Sequence, residues 1–221
     1  MYSKVFFEPW VGMDYGSSKS IFQKKILVLG DSHYCGECET CGDRDVHSGC
    51  TQFTQDTIGV YLNPNEHGKW KKTYSTFLNS IFGKGTSLTE RTRFFDSVAF
   101  YNFLQVSAGD NATSAKAYNY GDQKHLNAYY EMLSHVLPDI ILLWGNRVWH
   151  LLPNNWGDGE AKKGDPIPVK NSTFPKYMTY PFQGKEIVLV GTHHPCSGFP
   201  SEFYHEVFSR LGVVPTMGTG N

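Results

Sequence analysis

ILVLGDSHYC, residues 26–35, decides the fold. Its Ile, Leu and Val residues follow one another without a polar partner on either side, as in a strand buried on both faces, and the Gly, Asp and Ser behind them mark the strand's carboxyl end. Two later segments repeat the pattern, ILLWGN at 141–146 and IVLVGTHHP at 187–195, and DSVAFYNFL at 96–104 reads as another strand running into a loop. Between them lie segments of helical spacing. Tyr74, Phe77, Leu78, Ile81 and Phe82 predict a helix over about 70–82, and Leu126, Tyr130, Leu133, Val136 and Leu137 predict another that Pro138 ends. A last helix is expected from about Glu202 to Leu211, with a frayed tail behind it, and the Gly- and Pro-rich stretch 153–181 is expected to be a long surface excursion.

Four strands joined by helical crossovers imply an α/β fold: a single doubly wound domain spanning 1–221, with a mostly parallel four-stranded sheet flanked by helices. Sheets of this kind bind ligands beyond the carboxyl ends of their strands, so chemistry is expected near Asp31, Asn102 and His194. The 221 residues suffice to bury one core, and 40% hydrophobic and 15% aromatic residues favour packing over disorder. The 20 Lys and Arg against 21 Asp and Glu, a formal charge of -1, speak against a protein that coats nucleic acid by bulk charge. A local basic rim remains at Lys69, Lys71 and Lys72 or at Lys162 and Lys163. No run of residues has the length and apolarity of a membrane helix, and the amino terminus lacks a signal pattern, so a cytoplasmic monomer without a membrane partner is expected.

Four of the five cysteines, Cys35, Cys38, Cys41 and Cys50, fall in one short stretch with His47 among them. In a chain without a secretory signal this density points to a metal rather than to disulfides. Cys35/Cys38 or Cys38/Cys41 paired with His47/Cys50 suits zinc, as does an all-cysteine set that leaves His47 free. The C-x2-C-x2-C start also suits an iron–sulfur cluster. Four protein ligands close a coordination sphere, so the expected cofactor is a structural zinc, with a cluster as the alternative, on a loop inserted at about 35–50. No organic cofactor is expected.

GDSHY at 30–34, FYNFLQ at 100–105, LLWGN at 142–146 and HHPCSGF at 193–199 together resemble the landmarks of the uracil-DNA glycosylase superfamily, in the family's order. Gly30 and Tyr34 match the GQDPYH form of the first motif, and Asp31 stands where the GEAPG form has its acidic residue. Asn102 matches the family asparagine, and His194 and Pro195 match its HPS motif, with Cys196 where serine is usual. The resemblance implies a monofunctional DNA glycosylase that hydrolyses the N-glycosidic bond of a flipped uracil or modified pyrimidine, in DNA repair or in defence against modified foreign DNA. Its partner would be DNA. Asp31, Ser32 and His33 depart from the uracil-specific motif and leave the identity of the base open.

The residues suit that chemistry. Asn102 offers a donor and an acceptor to a pyrimidine edge, His194 a hydrogen bond to the base as it becomes anionic, and Asp31 a carboxylate for the cationic sugar. Phe53 is the nearest downstream aromatic able to stack on the base, and Phe199 is placed to wedge into the vacated stack. Two other classes compete. ILVLGDS also resembles the first block of SGNH hydrolases, with Ser32 as nucleophile and His194 as base, yet Gly191 stands where the orienting aspartate belongs. The third reading is a non-catalytic nucleic-acid-binding module that uses the cysteine loop as its contact surface.

Overall fold

A computed structural model describes residues 2–35, 41, 43, 45, 47–109, 121–170, 172–174, 176–196 and 198–215. Its strands are β1 (Trp10–Val11), β2 (Ile26–Gly30), β3 (Val98–Asn102), β4 (Ile140–Trp144), β5 (Lys162–Lys163), β6 (Ile167–Val169), β7 (Ser172–Phe174), β8 (Tyr177–Phe182) and β9 (Lys185–Thr192). The helices are α1 (Phe53–Leu62), α2 (Lys71–Phe82), α3 (Leu88–Ser97), α4 (Gln123–Val136) and α5 (Ser201–Arg210).

The expected α/β class holds, but the sheet is larger than four strands. It has seven, ordered β1-β3-β2-β4-β9-β8-β5, and β6 pairs with β7 apart from it. The parallel centre is β3-β2-β4-β9, the four segments with buried apolar runs; β1 at one edge and β8 and β5 at the other are antiparallel. The stretch 153–181 is therefore not wholly a surface excursion. Its β8 pairs along its length with β9 from Tyr177–Val190 to Phe182–Lys185. Pro181 hides this strand from a sequence reading, because proline gives a sheet no N–H. It is tolerated here because β5 pairs only with Met178 and Thr179, leaving β9 as the sole described neighbour at Pro181.

Alternation within the central strands sorts the core into two layers. Ile26, Val28, Val98, Phe100, Ile140 and Leu142 face α1, α2, α3 and α5, whereas Leu27, Leu29, Tyr101, Ile141 and Leu143 face α4. Each fully buried residue of this kind contributes about 1.5–3 kcal/mol relative to exposure. The helix α3, which apolar spacing alone does not reveal, is announced by a capping box: Ser87 Oγ accepts from Glu90 N–H while the Glu90 carboxylate accepts from Ser87 N–H. The first crossover runs from β2 to β3 on one side, and the next carries the chain to β4 on the other. Between β2 and β4 the sheet thus has a switch point, where crossovers part and open a crevice.

Candidate functional site

A cavity of about 660 Å³ lies at the carboxyl ends of the central strands. Asp31 enters it from beyond β2, Asn102 from the end of β3, Trp144 from the end of β4, and His194 from beyond β9. Sheet hydrogen bonding places these ends together. Past β2 the chain stays beside the continuation of β3, with Phe103 N–H donating to the Gly30 carbonyl (3.1 Å), Leu104 N–H to that of Asp31 (3.0 Å) and Ala108 N–H to that of His33 (2.8 Å). Gly30 is required by close approach: a Cβ there would lie 2.0 Å from Asn102 Oδ1. At Gly145, φ is +83°, a left-handed conformation that turns the chain away from β4 and that glycine adopts without strain.

Local contacts hold His194 in place. On one side Thr192 Oγ1 donates to the Leu143 carbonyl (3.0 Å), and His193 N–H donates to Tyr204 Oη (2.8 Å) on α5. The His194 ring stands edge-on to Trp144 at 6.0 Å between centroids. Cys196 N–H donates to His194 Nδ1 (3.3 Å), and Cys196 Sγ lies 2.9 Å from the same nitrogen. A nitrogen that accepts from an amide carries no proton, so the ring's hydrogen resides on Nε2. Burial, and then the nearby Arg147 charge, push the His194 pKa down from 6.5 to about 4, which keeps the imidazole neutral at pH 7. Arg147 also pairs with Asp31, Nη1 to Oδ2 at 2.8 Å, and Asp31 is only 13% exposed. The site therefore combines a carboxylate, a neutral imidazole donor and a carboxamide.

Asn102 is buried and rests on a second histidine. Its Nδ2 lies 3.2 Å from His33 Nδ1 and 3.3 Å from Nε2, and His33 Nε2 is 3.0 Å from Thr54 Oγ1 at the start of α1. The His33 ring is caged edge-on between Phe7 (4.7 Å) and Phe53 (4.9 Å). Gln105 ties the surroundings together: its Nε2 donates to the Asn102 carbonyl (3.0 Å) while its Oε1 accepts from Phe6 and Phe7 N–H. Burial lowers the His33 pKa to about 3, so this imidazole too is neutral.

The structure thus brings Asp31, Tyr34, Phe53, Asn102 and His194 to one cavity. Phe53 is half-buried at the first turn of α1, and Tyr34 is 39% exposed at the mouth, near Trp70 and Val60 at 40% and 39%. Phe199 is not among the cavity's lining residues; it stacks on Tyr204 at 4.4 Å against the α5 layer. Ser32 Oγ is buried with no hydrogen-bond partner among the described residues, and His194 Nδ1 is turned to Cys196 rather than to a serine. No protein-family model and no curated protein matches this chain. What the site does must be argued from its own geometry.

Sequence reading missed Trp144, Tyr74, Trp70 and Arg147, which line or border the cavity, and His33 beneath Asn102. LLWGN contains Trp144 in plain view, but only the strand order turns its ring toward His194. Of the cysteine loop, Cys38 lies outside the described residues. Cys35 N–H donates to Ser107 Oγ (2.9 Å), Ser107 Oγ donates to the Cys35 carbonyl (2.6 Å), and Ser107 N–H donates to Cys41 Sγ (3.0 Å). Cys50 sits in the 3-10 turn Ser48–Gln52, its N–H bonded to the His47 carbonyl (3.0 Å). Among the described residues no three His, Cys, Asp or Glu side chains converge as a ligand set. No described helix is long and apolar enough to cross a membrane.

Proposed function

We propose that this chain is a monofunctional DNA glycosylase, a divergent member of the uracil-DNA glycosylase superfamily, that hydrolyses the N-glycosidic bond of a flipped uracil or modified pyrimidine. One observation carries the reading: Asp31, Asn102 and His194, delivered from the ends of three different parallel strands, face a single cavity with an aromatic, Phe53, beside them. A base taken out of the duplex must be read on its edge, stacked and then cleaved. Asn102 offers the donor and acceptor for the edge, and Phe53 the stacking face. Bond cleavage leaves negative charge on the base and positive charge on the sugar. His194, neutral with its hydrogen on Nε2, donates to the base oxygen without a competing positive charge of its own, and preorganised donors of this kind lower such barriers by several kcal/mol. The Asp31 carboxylate stands against the developing sugar cation and orients the attacking water. Incubation with oligonucleotides carrying uracil, hypoxanthine or 5-substituted pyrimidines, followed by alkali, tests this reading. Strand breaks at the target base support it; their absence on every substrate, with hydrolysis of a simple ester instead, replaces it with the Ser32 hydrolase.

The cysteine loop is proposed to hold one structural zinc through four of Cys35, Cys38, Cys41, His47 and Cys50. The Ser107 amide directed at Cys41 Sγ supports this, because an N–H donor stabilises a thiolate, the form that binds metal. When bound, the zinc would supply cross-linking of the loop and no chemical step.

A further inference from the structure

We propose that His33 is a positioning residue that locks the Asn102 carboxamide in one orientation, with Nδ2 on the His33 side and Oδ1 against Gly30, so that the site accepts a base edge of carbonyl oxygen plus ring N–H and rejects an edge of amino group plus bare ring nitrogen. The inference rests on the glycosylase reading for its substrate, but not for the hydrogen bond itself. A carboxamide has two nearly isosteric faces, and turning it over exchanges donor for acceptor. A base reader built on asparagine therefore discriminates only as well as that flip is prevented.

Three contacts prevent it here. Thr54 Oγ1 lies 3.0 Å from His33 Nε2, where it accepts the ring's single proton, leaving Nδ1 as a bare acceptor 3.2 Å from Asn102 Nδ2. The edge-on phenyl rings of Phe7 and Phe53, at 4.7 and 4.9 Å, keep the imidazole from rotating. The absent side chain of Gly30 gives Oδ1 its space, since a Cβ would intrude to 2.0 Å. Flipping Asn102 would set Oδ1 against the Nδ1 lone pair in a buried place where no water offsets the repulsion. Nδ2 spends one hydrogen on His33 and keeps the other, alongside Oδ1, for the base. His33 remains neutral at working pH because burial holds its pKa near 3, so the acceptor is not lost to protonation.

Nitrogen-15 spectra of the histidine rings of the intact protein test the lock directly. The expected result is a neutral His33 with its hydrogen on Nε2 and an Asn102 side-chain N–H shifted downfield, the shift vanishing in His33→Phe. The kinetic counterpart compares excision of uracil with excision of cytosine from matched oligonucleotides. His33→Phe keeps an aromatic ring in the cage but removes the acceptor, and should lower the uracil-to-cytosine ratio ~10- to 100-fold, the range for one buried hydrogen bond. His33→Asn, which restores an acceptor near the place of Nδ1, should recover part of that ratio. A His33 hydrogen on Nδ1, or an unchanged ratio in folded His33→Phe, overturns the proposal. Should His33→Phe fail to fold, Thr54→Val probes the same tautomer: a lowered ratio supports the lock and an unchanged one overturns it. Should the wild-type protein cleave no base at all, the glycosylase reading fails while the spectra still decide the His33–Asn102 bond.

Discussion

The strand-end site and the cysteine loop are neighbours, yet they are held by different means. Asp31, Asn102 and His194 stand at the ends of strands whose backbones are bonded to one another, and behind them lie the buried side chains of both core layers. The loop has one visible anchor, Ser107, reached by Cys35 and Cys41. A site on strands is preorganised by the whole core and needs no ligand to exist, whereas a loop of donors draws its order from what the donors bind. Damage to the first should therefore cost rate without stability, and damage to the second stability without rate.

The largest expected effect lies in the loop. Cys38→Ser should release about one metal ion per chain and cost several kcal/mol of folding stability, part of the ~10–16 kcal/mol that structural zinc supplies in small domains. Elemental analysis after anaerobic purification, with urea unfolding, measures both. Protein that is brown rather than colourless would replace zinc with a cluster, and protein without any metal would remove the loop's proposed role. Next, at the strand ends, His194→Ala should slow single-turnover cleavage ~10²- to 10³-fold, the scale of one lost oxyanion donor, with DNA affinity and melting temperature nearly unchanged. Lost DNA binding in a folded variant would make His194 a recognition contact instead.

Acid should reveal the buried histidines of the site. Burial lowers His33 to about 3, and burial is also the main cause that holds His125 and His194 near 4, all below the ordinary 6.5. Below pH 6.5 the unfolded chain takes up protons that the folded one refuses. Stability is then full above that pH and falls as pH drops toward 4, by up to ~1.4 kcal/mol per pH unit for each imidazole. Urea midpoints measured across this window should slope accordingly, and His33→Phe should flatten the slope; a flat wild-type profile would contradict the burial. The smallest effect belongs to Ser32. Ser32→Ala should keep base excision within ~3-fold, whereas a nucleophile's loss would cost ~10³-fold or more.

Much of the molecule is legible in the chain alone. The parallel strands show as uninterrupted apolar runs, and α2, α4 and α5 as apolar residues at helical spacing. The polar residues just past the runs, Asp31, Asn102 and His194, read as candidates because a strand buried on both faces ends where its apolar run ends. Other elements are not legible. FTQDTIGVYL, which forms α1, buries only Thr54, Ile58 and Tyr61 and so shows a weak helical period. The strand β8 carries a proline, and β1 and β5 have two residues each, too few for any period to show.

By itself the sequence determined the class of the fold, where its main strands end, and which polar groups stand there, because those depend on local alternation and on turn chemistry. Only the tertiary structure decided that His33 lies beneath Asn102, that Trp144 faces His194, that Arg147 pairs with Asp31, and that Phe199 packs on Tyr204 outside the cavity lining. These are encounters between residues tens of positions apart in most cases, set by the order of strands in the sheet and by the crossing of helices. Even the short step from Phe199 to Tyr204 depends on how α5 docks on its layer. No local pattern encodes such meetings, because they follow from the burial of whole faces against one another.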